Sequence, residues 1–285
     1  MTDFLTGPWS LDLFTAVNLV LVAAAYLAGV RVRARRGALP AWPWYRSLSF
    51  LSALALLAAV YLGPVAGWSH TFFWAHMAQH LVVMMAAAPL IVLGAPLLLL
   101  QEAVPDDARR RWVDPVLSSR AVRWLTDPLV TWLLFAGVLL GVHFTGFYDW
   151  AMGDHDAEMF IQRPLMLAVA ILYYLPLIGS NPLPRRPSPA VKLISLGAMM
   201  VPEAIVGAVI YFSPFVIYET FANSTRPFGP DALTDQQLSG AVMWALVMVI
   251  DTMWMMVVAT EWFSSEEEKA RRMDEEMAAE QRTPA

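Results

Sequence analysis

Long apolar runs separated by short polar stretches recur along the whole chain. Seven are long enough to matter, at about 10–30, 47–67, 72–100, 127–148, 158–179, 192–216 and 237–262. Roughly 20 apolar residues in a helix cover the ~30 Å of a bilayer's hydrocarbon. The runs are continuous rather than alternating, so they predict helices and not the strands of a barrel. The expected fold is an all-α integral membrane protein, a bundle of seven transmembrane helices over residues 1–263. Residues 264–285 are expected to form a polar cytoplasmic tail, either continuing the last helix or fraying. The opening MTDFLTGPWSLDLF has no positive charge ahead of its apolar run, so that run is expected to persist as a span rather than act as a signal peptide.

Charge orients the bundle. Of 19 Lys and Arg, all but Arg163 and Arg226 lie in the connections after spans 1, 3 and 5 or in the C-terminal tail. The positive-inside rule then predicts the N-terminus outside and the C-terminus in the cytoplasm. Composition agrees with a membrane protein: 58% of residues are hydrophobic and 15% charged, against about a quarter charged in soluble domains. With no cysteine, disulfides, iron–sulfur clusters and thiolate metal sites are excluded. No basic stripe with interleaved aromatics points to nucleic acid. Proline-rich 180-SNPLPRRPSP reads as a connector, because its four prolines forbid helix.

The third run contains 76-HMAQHLVVMM-85, with imidazoles in an apolar segment. All five histidines, His70, His76, His80, His143 and His155, fall on the predicted outer side, which points to one shared site there. His76, His80 and Met84 form a stripe down one helix face, flanked by Met77 and Met85. His155, Glu158 and Met159 share a face at the start of span 5, and His143 lies near the outer end of span 4. Imidazole and thioether without thiolate favour copper as the bound ion; zinc through His and carboxylate, or haem through two histidines, stays open. His70 reads as an interfacial side chain. Three further ionisable residues lie inside spans: Arg163, expected to pair with Glu158 or Asp156, and Glu203 and Asp251. The last two are either a cation or proton path or a structural pair locking two helices.

The run 76-HMAQHLVVMMAAAPLIVLGAP-96, with 143-HFTGFYDWAMGDHDAE-158, 182-PLPRR-186 and 234-TDQQLSGAVMW-244, resembles the CtaG family of cytochrome c oxidase assembly factors, the polytopic kind that accompanies caa-type oxidases in bacteria. The resemblance covers about residues 70 to 272. It implies a multi-pass protein of the bacterial plasma membrane, not an enzyme, that handles copper on the outer side during biogenesis of a heme-copper oxidase. On this reading the partner is an oxidase subunit or an extracytoplasmic copper donor, expected to dock near His70, His155 and the 217–236 loop. The family's histidines fall on His76, His80, His143 and His155, with Glu158 beside the last. A further motif falls on Asp235, Gln236, Gly240, Met243 and Trp244. The chain departs from the family at Val142, where relatives have Trp, and at Met159 and Glu203, which stand where histidines are expected.

Two other readings compete with an assembly factor: a haem-binding electron-transfer protein with His80 and His143 as axial ligands, and a copper or proton transporter using Glu203 and Asp251. A retinal protein is excluded, because neither lysine, Lys192 nor Lys269, lies within a late span where a Schiff base would form.

Overall fold

The computed structural model describes Trp9 and residues 12–282, with side chains as far as Glu275. Residues 10 and 11 of the expected first span and the last three of the expected tail lie outside the described residues. Every regular element among the described residues is helical. Five helices are long and apolar enough to cross a membrane: α1 (Leu13–Arg35), α2 (Trp44–Trp68), α3 (Phe73–Ala103), α7 (Pro189–Phe212) and α8 (Ala232–Arg282), whose apolar stretch lies within Ala232–Glu275. A sixth is bent: α4 (Pro128–Phe144) and α5 (Phe147–Gly153) meet at 72°. The remaining apolar run becomes α6, built from His155–Ala157, a π turn Glu158–Gln162 and Arg163–Tyr174. It begins on Asp156, Glu158 and Arg163, so composition does not mark it as a span.

Proline explains an irregularity that recurs three times. The π turns Val82–Ala87, Arg109–Val113 and Glu158–Gln162 each end two residues before a proline: Pro89, Pro115 and Pro164. Proline has no N–H for the carbonyl four residues back, and its ring collides with that carbonyl, so widening the turn relieves both problems. In α3 the released carbonyl of Met85 accepts instead from Trp254 Nε1 of α8 at 3.1 Å.

α3 is also interrupted at Gly94–Ala95, where Ala95 adopts a left-handed φ of 50°. The interruption is closed by neighbours rather than by the helix. Asn181 Nδ2 donates to Val92 O at 2.9 Å, its Oδ1 accepts from Leu97 N at 3.2 Å, and Tyr26 Oη donates to Gly94 O at 2.8 Å. A Cβ on Gly94 would lie 2.7 Å from Phe50 Cβ, so only glycine lets α2 approach here.

The connections gather at two ends. At one, buried Arg33 pairs with Glu102 and donates to Pro40 O, and Lys192 pairs with Glu261. At the other, Arg163 reaches Glu158, Thr220 reaches Asp149, and Ser224 Oγ donates to Thr71 O. Beyond the bundle α8 runs on to Arg282, held by i, i+3 and i, i+4 pairs. Arg272 pairs with Glu268 and Arg271 with Glu275, each one turn apart.

Candidate functional site: a buried histidine and methionine cavity

The site begins with the entry of α3. Its N-cap, Phe72, has no side chain to bond the first N–H groups, and the cap comes from another helix. Asp235, fully buried in the first turns of α8, accepts from Phe73 N at 2.7 Å and Trp74 N at 3.2 Å. A carboxylate on a helix N-terminus satisfies orphan donors and complements the helix dipole. The next residue, Gln236, accepts from Ile217 N at 2.7 Å and donates to Phe215 O at 3.0 Å, tying down the 213–217 loop. Gly240 is where α8 crosses α7: a Cβ there would lie 2.6 Å from Tyr211 N and 2.8 Å from Gly207 O. Met243 is buried one turn further along. The motif is therefore a clamp that fixes α3 against α7 and α8, with one member, Met243, reaching the cavity below it.

Directly under that clamp lie the histidines. His76 and His80 stack edge to face, ring centres 4.4 Å apart, with Nε2 to Nε2 at 2.5 Å. The ring nitrogens of this pair therefore face each other rather than solvent. His76 is walled in by Tyr148 and Phe221. His143, near the end of α4, faces His80 with ring centres 6.4 Å apart. Its Nδ1 bonds Leu139 O at 2.8 Å, so that nitrogen carries the hydrogen and Nε2 presents a lone pair. Among the described residues that Nε2 has no hydrogen-bond partner, although His143 is only 5% exposed.

Between the rings is a cavity of about 20 Å³, room for one water or one ion. Its polar and polarizable walls are His80, His143, Glu203 and the thioethers of Met77, Met84, Met85 and Met243; Leu81, Phe135, Leu139 and Val247 complete it. At its deep end Glu203 hydrogen-bonds Asp251 of α8, leaving Glu203 Oε2 and Asp251 Oδ2 without partners among the described residues. Two carboxyl groups can bond only if one of them carries the hydrogen.

The structure does not bring every expected residue here. His155 is exposed, and Met159 is buried away from the cavity walls. Glu158 is occupied: Arg163 donates to its Oε1 at 2.8 and 3.2 Å, and His70 Nε2 lies 3.1 Å from its Oε2. The pairing of Arg163 with Glu158 is as expected; Arg163 also sits 4.7 Å over the Tyr61 ring. His70, read as a plain interfacial side chain, holds this buried carboxylate instead. The reason for the split is helical phase, because the π turn at Glu158–Gln162 alters which faces of α6 point inward. Among the described residues no three His, Asp or Glu side chains converge as a ready-made cage for a metal. Tyr148, which packs on His76, was not legible as a site residue, since a lone tyrosine in a short helix carries no spacing signal.

Comparison with known proteins decides the family. Residues 24–265 match the model of the cytochrome c oxidase caa3 assembly factors. The chain belongs to that family. An uncharacterised protein of Mycobacterium bovis is 29% identical over 274 residues, and one of Mycobacterium leprae 25% identical over 273; each alignment covers 93% of this chain and 41% of the relative. The chain thus spans about two fifths of the length of these curated relatives. No solved structure matches it. The matched region contains the clamp and every wall of the cavity.

Proposed function

We propose that this protein assists assembly of a heme-copper oxidase by holding one copper ion, as cargo, in the His80–His143 cavity and releasing it to an oxidase subunit. The role is that of a metallochaperone, not a catalyst. The observation that carries the reading is the bare Nε2 of His143, a residue that walls an ion-sized space among thioethers. A buried imidazole nitrogen without a partner is costly, and a metal ion would satisfy it. Thioether and imidazole together suit Cu(I), and the absence of thiolate suits a site that must release. Two imidazoles sharing an ion at ~2 Å from each nitrogen place their ring centres about 6 Å apart when opposed, close to the 6.4 Å found here.

His76 acts as a positioning residue, orienting His80 through their Nε2 contact. His155, Glu158 and Met159 lie outside the ion's reach. The size of the cavity supports an ion over a haem. The Glu203–Asp251 pair supports a structural bolt between α7 and α8 over a transport path, because its bonded carboxyls face each other. Seven crossings of the bacterial plasma membrane, N-terminus outside, put the cavity in the outer leaflet. This topology is supported by the bias of Lys and Arg to one end, and it leaves the site accessible to an extracytoplasmic copper donor.

The test is metal analysis of detergent-purified protein after Cu(I) loading, beside oxidase activity in a strain complemented with the same variants. Wild type should retain copper and restore the oxidase, and His80→Ala/His143→Ala should do neither. Equal copper in both proteins removes the site; a Soret band in the wild type replaces copper with haem.

A further inference from the structure

His143 is a wall of two spaces. One is the buried cavity; the other is an open groove of about 500 Å³ between the ends of α4 and α7, closed beneath by the 213–218 loop. We propose that this groove is the port through which Cu(I) enters and leaves, with the His143 imidazole as its gate. The inference rests on the copper reading of the cavity and adds the route.

Three other sides of the cavity are occupied by groups bonded or packed to one another. Above the cavity, His76 is packed against Tyr148 and Phe221, each no more than 1% exposed, and its Nε2 is joined to His80. Towards α6, Glu158 is held by Arg163 and His70. The deep end closes on the bonded Glu203 and Asp251 carboxyls. His143 is a side chain shared by the cavity and the open groove. Its backbone is pinned by the Tyr218 hydroxyl, which donates to His143 O at 3.4 Å, and its ring is held by one hydrogen bond to Leu139 O. Rotation of that ring breaks one bond and leaves the helix intact.

The groove is also chemically graded for a cation. Asp149 stands in it, its Oδ1 bonded by Thr220 N and Oγ1, and the hydroxyls of Thr145 and Ser213 lie along it before the imidazole. The carboxylate and hydroxyl oxygens of the groove attract a cation, and the softer nitrogen and sulfur donors belong to the cavity that shares His143 with it.

The chain's lack of cysteine makes the test direct, because an introduced thiol is the only one. Phe215→Cys places a thiol in the groove; Thr145→Cys is a second position should the first misfold; Asp156→Cys, exposed near His155, is the control. Each full-length protein, in detergent, is capped either with a methylthio group or with a bulky cationic thiol reagent, so that no free thiol binds metal. Cu(I) uptake is then followed by competition with a chromogenic Cu(I) chelator. The bulky cap in the groove should slow loading by about an order of magnitude, the behaviour of a binding step made to wait for a rarer opening, with the final copper content unchanged. The same cap at Asp156→Cys should leave the rate unaltered. Equal loading rates with small and bulky caps at both groove positions overturn the port while leaving the copper site standing. No copper retained by any protein, wild type included, overturns the cavity reading and the port with it.

Discussion

Two clusters at the same end of the bundle treat polar groups in opposite ways. In the Arg163–Glu158–His70 cluster each charge has a partner: guanidinium on carboxylate, imidazole on the second oxygen, and the guanidinium over an aromatic face. In the His80–His143 cavity the donors are neutral and soft, and one nitrogen is left bare. Burying a charge requires pairing it within the protein. A neutral imidazole can be left unpaired at a smaller cost, and that is what makes it available to a ligand from outside. The first cluster is complete in itself; the second leaves a buried nitrogen without a partner among the described residues.

The sharpest way to break this contrast is Arg163→Met, which strands the 2%-exposed Glu158. The expected loss of stability is about 3–5 kcal/mol, whereas Arg163→Met with Glu158→Met should recover most of it. Thermal unfolding in detergent reads both, and equal stability of the single and double variants would show that the pair is not what holds α6. In the soft cluster, His143→Ala should weaken Cu(I) binding by about a hundredfold while unfolding at nearly the wild-type temperature; chelator competition and a melt on the same sample separate the two effects. Asp235→Ala removes the borrowed cap of α3 and should cost about 0.5–2 kcal/mol. Copper affinity should fall with it only if the cap also sets the height of His76 and His80, so titrating the variant sharpens the boundary between clamp and cavity. Met243→Leu preserves volume and should cost under ~1.5 kcal/mol. A several-fold loss of Cu(I) affinity at unchanged stability would mark its thioether as a ligand, and no change would mark it as packing.

Much of this was legible before any coordinates. The apolar runs named the helices, because in lipid a span must satisfy its own backbone and therefore has a minimum length. His76 and His80, four apart, share a face by helical geometry alone, and Met84 follows on the same stripe. Arg163 pairs with Glu158 because a charge inside a span must find an opposite one within reach. Where reading along the chain failed, the cause was phase or distance in sequence. His155 has the same residue type and nearly the same depth as its fellows, yet it turns outward, and the prolines that widen neighbouring turns do not announce the resulting rotation. Asp235 lies 162 residues from the backbone it caps.

The sequence by itself determined which segments are helical, at which end the histidines collect, and that no thiolate takes part, since these follow from composition and short-range periodicity. Only the tertiary structure decided that His143 rather than His155 faces His80, that Glu158 is already engaged, and that the space beside His80 and His143 has room for one ion. Those outcomes depend on how helices far apart in the chain are rotated against one another, and that rotation is set by packing at positions such as Gly207 and Gly240, where backbones meet without side chains between them.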